Sequence, residues 1–391
     1  MTHALRPSRR TERFTESVIR EMTRVAREHD AVNLAQGFPD FPAPGRLKNA
    51  AIAAIHDDVN QYAVTWGAPR LRQGLARWYT SRYGMEVDPD AHLTVTCGAT
   101  EAMAAVFLAL LNPDDEVIVL EPFYENYGPD ALLAGAQARF LPLDPPDYRL
   151  REERLEALIS PRTRAVVLNT PNNPTGRVFD EEEMAAVARL AQRHDLVVIT
   201  DEIYECILYE GTHRPMAALP GMAERTITIS GASKTYSVTG WRLGSIVAPA
   251  QITGAIRKVH DFLTVGAPAP LQEAWAEALD PVDEDYLAAL SQGYRARRDL
   301  LVEGLRHAGF QCTAPQGAYY ILADFSALSE ADDTRFSLEL TRTAGVAPVP
   351  GSSFFHGDGG RSLVRFAFCK KEPTLEEGVR RLRDFARAGS D

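Results

Sequence analysis

The segment TITISGASKTYSVTGWRLGSIVA (226–248) decides the reading of this chain. It holds two short apolar runs, TITIS (226–230) and LGSIVA (243–248), joined by a loop of small residues that carries Lys234. Runs that are apolar throughout read as strands buried on both faces. An amine set between two such strands loses hydration, so its pKa falls and it gains nucleophilicity near neutral pH. A lysine kept there for structure alone would need a buried carboxylate partner. Lysine is also scarce. The 42 basic residues include only Lys48, Lys234, Lys258, Lys370 and Lys371, and arginine cannot supply a free amine because it does not lose its proton.

Working outward, the same pattern recurs at HLTVT (92–96), EVIVLE (116–121), AVVLN (165–169) and LVVIT (196–200). Amphipathic stretches such as FDEEEMAAVARLAQRHD (179–195) separate these runs. Strand and helix patterns in alternation predict an α/β domain with a mostly parallel sheet over residues 48–285. The pattern then changes. Residues 285–311 predict a long charged amphipathic helix, and AYYILADF (318–325) and SLVRFAF (362–368) alternate enough to suggest a sheet with one exposed face. These predict a smaller α+β domain of residues 286–391, joined by the N-terminal segment 1–47.

Composition narrows the function. The chain has 391 residues, 45% of them hydrophobic, so a large core is possible. A formal charge of −11 argues against non-specific attraction to nucleic acid or an anionic membrane. The basic start MTHALRPSRRTER is followed by no apolar run of signal-peptide type, and no stretch approaches the ~18 apolar residues of a membrane span. A cytoplasmic protein is expected. Cys97, Cys206, Cys312 and Cys369 lie far apart without ligand spacing, so neither a metal site nor a disulfide framework is expected.

In open α/β sheets ligands sit beyond the carboxyl ends of the strands, and the residues found there are informative. Cys97-Gly98-Ala99-Thr100-Glu101 leads from a strand into the apolar helix AMAAVFLALL, which suits either an ordinary capped turn or a phosphate held by free N–H groups. Phe123 and Tyr124 form an aromatic pair that either packs a core or stacks on a flat ring. Asn173, in the rigid turn TPNNPTG (170–176), either shapes the loop or offers an amide to a phenolic oxygen. Asp201 ends an apolar strand, where a carboxylate is costly unless it caps a helix or pairs with a cation such as a protonated pyridine nitrogen. Arg242, eight residues after Lys234, can fork onto a phosphate. Arg365 stands among apolar residues in LVRFAF and demands an anionic partner, either internal or a substrate carboxylate.

The ordered set VNLAQGFPDFPAP (32–44), NQYAVTWGAPRLR (60–72), VTCGATEA (95–102), EPFYENY (121–127), LNTPNNPTGRVF (168–179), ITDEIYE (199–205), SKTYSVTGWRLG (233–244) and LVRFAFCKKE (363–372) resembles fold-type I, class I aminotransferases over nearly the whole chain. It is most similar to the branch of kynurenine/glutamine transaminases, methionine aminotransferases and N-succinyldiaminopimelate aminotransferases. The resemblance implies an aspartate-aminotransferase-like large domain with a mostly parallel seven-stranded sheet, and pyridoxal 5′-phosphate as cofactor. It assigns Lys234 as the Schiff-base lysine and proton carrier, Asp201 to the pyridinium, Tyr204 and Asn173 to the phenolic oxygen, and Phe123 to ring stacking. Phosphate contacts fall to backbone of Ala99 and Thr100, to Ser233 and Arg242, and to Tyr62 of a neighbouring subunit in a homodimer that shares its active sites. Arg365, Asn173 and backbone of Gly37 are implied for the substrate α-carboxylate.

The implied reaction moves an amino group from an L-amino acid to a 2-oxo acid by a ping-pong route, on a neutral, sulfur-containing or aromatic substrate. A C–S β-lyase and an N-succinyldiaminopimelate aminotransferase are the alternatives. Relatives place a hydroxyl three residues before the lysine where this chain has Gly231, with Ser230 or Ser233 as substitutes. Bulky aromatics of the kynurenine enzymes are replaced by Ile19, Thr100 and Val265-Gly266. A cofactor-binding regulator fused to a DNA-binding module is a further class, and the short N-terminal extension offers no space for such a module.

Overall fold

The computed structural model describes residues 6–388. A two-residue strand β1 (Val32–Asn33) precedes the main sheet. That sheet comprises β2 (Leu93–Thr96), β3 (Glu116–Glu121), β4 (Gln137–Pro142), β5 (Thr163–Asn169), β6 (Val197–Asp201), β7 (Thr226–Gly231) and β8 (Gly244–Val247). Their order across the sheet is β2-β8-β7-β6-β5-β3-β4. Only β8 runs against the others, pairing antiparallel with both β2 and β7. The architecture is the α/β fold with a seven-stranded, mostly parallel sheet.

The period of two inside the apolar runs explains the layering. From β3, Val117 and Val119 pack on one face with Ala102, Met103, Val106 and Phe107 of the helix Ala99–Leu110. Ile118 and Leu120 face the other side, with Met184, Val187 and Leu190 of the helix Glu181–Arg193. That second helix starts with a capping box, in which the Asp180 side chain accepts from Glu183 N–H and Glu183 accepts from Asp180 N–H. β4 was not legible as a strand. QARFLP is an edge strand with four of six residues at intermediate or full exposure before its last two, so it carries no continuous apolar run.

The remaining strands are β9 (Gln311–Cys312), β10 (Tyr320–Asp324), β11 (Val346–Ala347), β12 (Val349–Pro350) and β13 (Leu363–Ala367). They form a four-stranded antiparallel sheet in the order β12-β13-β10-β9, while β11 pairs parallel with β1. The long helix spans Glu284–His307. The expectation of one exposed face fails here. Ile321, Ala323, Val364 and Phe366 pack into the core with Leu301, Leu305 and Leu375. The opposite face carries Tyr320 and Arg365, also buried, because it is turned toward the strand ends of the large sheet.

Where β7 meets β8, backbone lies against backbone. A Cβ on Gly231 would fall 2.6 Å from the Leu243 carbonyl, and one on Gly244 would fall 2.5 Å from the carbonyl carbon of Gly98. The loop that follows β7 is thereby drawn against the start of the helix that follows β2. Gly231→Ser is expected to destabilise the fold by about 1–3 kcal/mol through overpacking, measured as a lower midpoint in denaturant unfolding. An unchanged midpoint would show that this space can open.

Candidate active site

The carboxyl ends of β2, β3, β5, β6 and β7 lie along the same edge of the sheet. At the end of β2, Gly98 takes a left-handed φ of 84° and leads into the 12-residue helix Ala99–Leu110. The first N–H groups of this helix have no intrahelical partner, and they carry the positive end of its dipole. Arg242, itself at φ 54°, brings Nη2 to 3.5 Å from Thr100 Oγ1 and donates from Nη1 to Thr239 O at 3.0 Å. A Cβ on Gly98 would sit 2.5 Å from that guanidinium. Glycine there keeps open a cradle of N–H groups and permanent positive charge. Ser233 is buried beside it. Ser230 is not available to the cradle, since its hydroxyl donates to buried Glu205 at 2.6 Å. Gly231 has no space for a hydroxyl at all, so of the two substitutes only Ser233 remains.

Lys234 lies between the rings of Tyr204 and Tyr319, with Nζ 5.8 Å from each centroid and 3.4 Å from Gly37 O. Burial lowers its pKa from the usual 10.5 to about 8. Asp201, at the end of β6, accepts from the Tyr127 hydroxyl at 2.8 Å and from Ile203 N–H at 3.3 Å. Burial pushes its carboxyl up, against the pull of these donors and of Lys234. A desolvated carboxyl with so few donors has capacity for a further cationic N–H. The Tyr204 hydroxyl is 3.0 Å from that of Tyr320, and burial keeps both phenols protonated by raising their pKa values.

Arg365 is buried, with 1% of its surface exposed. Nη1 donates to Asn173 Oδ1 at 2.9 Å, Nη2 donates to Ala35 O at 2.6 Å, and Nε has no partner. The guanidinium lies over Tyr320 at 4.2 Å and near Phe354 at 4.8 Å. Among the described residues no carboxylate pairs with it. Of the two partners left open by the sequence, an internal acid is excluded, and the group is set to receive an external anion.

Two expected residues differ from their expected surroundings. Phe123 is turned into the core and stacks on Phe140 at 5.1 Å, while Phe140 stacks in turn on His356. Tyr124 packs on the same core from its edge and meets Tyr127, the donor to Asp201, in an edge-on contact at 6.0 Å. The pair could not be told apart from composition. Tyr62 is 87% exposed on the single chain, and Val64, Phe262 and Val265 are exposed as well; the segment that follows Tyr62 meets the end of the helix Ala250–Thr264, where Thr65 O lies 2.8 Å from His260 Nε2. From sequence, Tyr124 is marked only as the partner of Phe123, and Tyr127, Tyr319, Tyr320 and Lys370 are not singled out as site residues. Tyr127 follows Tyr124 at helical spacing, and the pair Tyr319-Tyr320 precedes the strand core, which are the signals that could have marked them.

A strand-end site with a desolvated lysine, a buried carboxylate and an N-terminal helix cradle defines a class. Residues 29–382 match the family model for aminotransferases of class I and II, and the chain belongs to that family. It is 41% identical over 381 residues to a probable N-succinyldiaminopimelate aminotransferase of Mycobacterium tuberculosis, covering 94% of this chain and 96% of that protein. It is 40% identical over 368 residues to the methionine aminotransferase of Escherichia coli, covering 94% and 95%. It is 36% identical over 397 residues to human kynurenine–oxoglutarate transaminase 1, covering 93% and 94%. Among solved structures, the Escherichia coli enzyme superposes with a TM-score of 0.94 at 38% identity, covering 97% of this chain and all of that one. The chain is a pyridoxal-phosphate-dependent aminotransferase. The residues fit that cofactor: the Gly98 cradle suits its phosphate, Asp201 its ring nitrogen, and Lys234 its aldehyde.

The depressed pKa has a direct consequence. Burial penalises the ammonium, so the amine is free above about pH 8 and protonated below it. In cofactor-free protein, labelling of Lys234 by an amine-reactive reagent, followed by peptide mass spectrometry, is expected to rise with a midpoint near 8. A midpoint near 10.5 would contradict the burial.

Proposed function

We propose that Lys234 is the residue that joins the cofactor and shuttles protons, and that the enzyme acts on neutral, sulfur-containing or aromatic L-amino acids with a 2-oxo acid acceptor. The observation that carries this reading is the buried, carboxylate-free Arg365 in the same pocket as the desolvated lysine. When bound, pyridoxal phosphate supplies an aldehyde that condenses with amines and a ring that draws electrons from the substrate Cα. The chain's own residues do the rest. Arg365, with Asn173 and backbone of Gly37, holds the substrate α-carboxylate as a planar fork. Lys234 Nζ would take the proton from the substrate Cα and deliver it, on the same face, to the carbon that entered as the cofactor's aldehyde, a task suited to an amine whose pKa lies near the working pH.

In this reading Asp201, oriented by Tyr127, would hold the ring nitrogen, whose cationic N–H offsets the burial that disfavours the carboxylate, and Tyr204 and Asn173 face the phenolic oxygen. Backbone of Ala99 and Thr100, with Ser233 and Arg242, binds phosphate. The stacking role passes from Phe123 to Tyr124. A neutral or sulfur-containing substrate side chain is the first reading, supported by the likeness to the methionine aminotransferase of Escherichia coli. The relative from Mycobacterium tuberculosis keeps the succinylated substrate as the second reading. A panel of amino donors with 2-oxoglutarate is expected to give the highest kcat/KM for methionine, glutamine or an aromatic amino acid. A preference for N-succinyldiaminopimelate would overturn the substrate assignment, and release of thiol and pyruvate without an acceptor would favour the C–S lyase.

We further propose a homodimer in which Tyr62 reaches the partner's phosphate site, supported by the exposure of Tyr62 and of the apolar side chains Val64, Phe262 and Val265. Mixing inactive Lys234→Ala and Tyr62→Ala chains should restore about a quarter of wild-type activity, since half of the dimers are mixed and each holds one intact site. No recovery in confirmed mixed dimers would refute the shared site. The division into a large domain of 48–285 and a small domain of 1–47 and 286–391 is supported by the confinement of the two larger sheets to 93–247 and 311–367. A cytoplasmic location accords with four free cysteines. Among the described residues no helix is long and apolar enough to cross a membrane.

A further inference from the structure

Four successive carbonyls of the segment Ala35-Gln36-Gly37-Phe38 each accept a hydrogen bond from a side chain of another part of the fold. Ala35 O receives Arg365 Nη2 at 2.6 Å. Gln36 O and Phe38 O both receive Lys370 Nζ, at 3.2 and 2.8 Å. Gly37 O, between them, receives the Tyr319 hydroxyl at 2.9 Å and Lys234 Nζ at 3.4 Å. Leu34 O, one residue earlier, takes the backbone N–H of Ala367 at 2.7 Å. Beyond the segment, Asp40 is tied to Lys371 N–H at 2.5 Å and to the Thr374 hydroxyl at 2.8 Å. The side chain of Gly37 could not be larger, because a Cβ would fall 1.9 Å from the Tyr320 hydroxyl.

Lys370 is the unexplained member. It is 3% exposed, and among the described residues no carboxylate pairs with it. A buried ammonium is costly unless its donors are satisfied. Two of its three N–H bonds go to the carbonyls flanking Gly37, and the Phe38 ring lies 4.0 Å from Nζ. A cation that straddles one residue in this way fixes that residue's backbone direction from both sides.

We propose that Lys370 is a positioning residue for substrate binding: it clamps backbone 36–38 as the wall of the α-carboxylate site, with Gly37 held against Lys234, Tyr319 and Tyr320. This rests on the reading that Arg365 and Gly37 meet the substrate carboxylate. Lys370 touches neither Asp201 nor the helix cradle, so its loss acts on substrate and spares the cofactor.

The test compares Lys370→Met, Lys370→Arg and Arg365→Ala as holoenzymes. Lys370→Met is expected to raise KM for both amino donor and oxo acid about tenfold or more, with kcat within about threefold and with unchanged cofactor affinity and absorbance. Lys370→Arg, which keeps a cation and its donors, should recover most of the loss. If Arg365→Ala raises KM and Lys370→Met does not, the clamp is refuted and the carboxylate reading stands. If Arg365→Ala leaves KM unchanged, the carboxylate reading itself fails. A Lys370→Met enzyme that loses cofactor and kcat together would also overturn the proposal, as would failure of Lys370→Arg to rescue. Should Lys370→Met not fold, Asp40→Ala decides: it loosens the same segment from its other end, and an unchanged KM refutes the clamp.

Discussion

Between β7 and β8 there is no room for a side chain at residue 231 or 244, because the Leu243 carbonyl and the backbone of Gly98 and Ala99 occupy that space. Three chain segments distant in sequence are thus pressed together by glycine alone. The turn bearing Lys234, the N-terminus of the helix Ala99–Leu110 and the left-handed Arg242 take their relative positions from this contact. On the proposed reading, an amine that meets the aldehyde and a helix end that meets the phosphate serve one cofactor only at a fixed separation. Backbone-to-backbone packing sets that separation with the fewest soft degrees of freedom, because no rotamer lies between the two parts.

Charge completes what the glycines begin. Lys234, Arg365 and Lys370 are all desolvated, and none is neutralised by a carboxylate at hydrogen-bond distance among the described residues. Carbonyl dipoles, phenols and aromatic faces surround them instead. This arrangement tolerates cations while leaving their Coulomb attraction unspent, in a region of low effective dielectric where it acts strongly. The acids present nearby are otherwise engaged: Asp201 with Tyr127, Glu205 with Ser230 and Tyr83, and Glu202 with His213.

Much of this was legible in the sequence because parallel sheets place function after their strands. Asp201 ends an apolar run, Arg365 interrupts one, and Asn173 and Lys234 stand in the polar or small-residue turns that follow two others, and such positions are visible without coordinates. β4 was missed for the converse reason, since an edge strand with Gln137, Arg139 and Pro142 leaves no apolar run to see. The exposed face expected for β10 and β13 was wrong because alternation does not reveal that a second layer covers the polar side. Phe123 and Tyr124 show a finer limit: both are aromatic, and composition does not show which of them stacks on Phe140. Lys370 was hidden differently. Beside Lys371 it looks like half of a solvated charge pair, and only the returning N-terminal segment makes it interior.

The solitary guanidinium of Arg365 has a further meaning for what the enzyme refuses. A primary amine with a suitable side chain but no carboxyl group would enter the pocket and leave Arg365 stripped of water with nothing in exchange. Sites built around a buried polar group reject analogues that lack its partner far more strongly than sites built from apolar surface, by factors on the order of 10⁴. On the proposed reading, the lack of an internal counterion among the described residues would disfavour amines without a carboxyl group, with no residue placed to repel them.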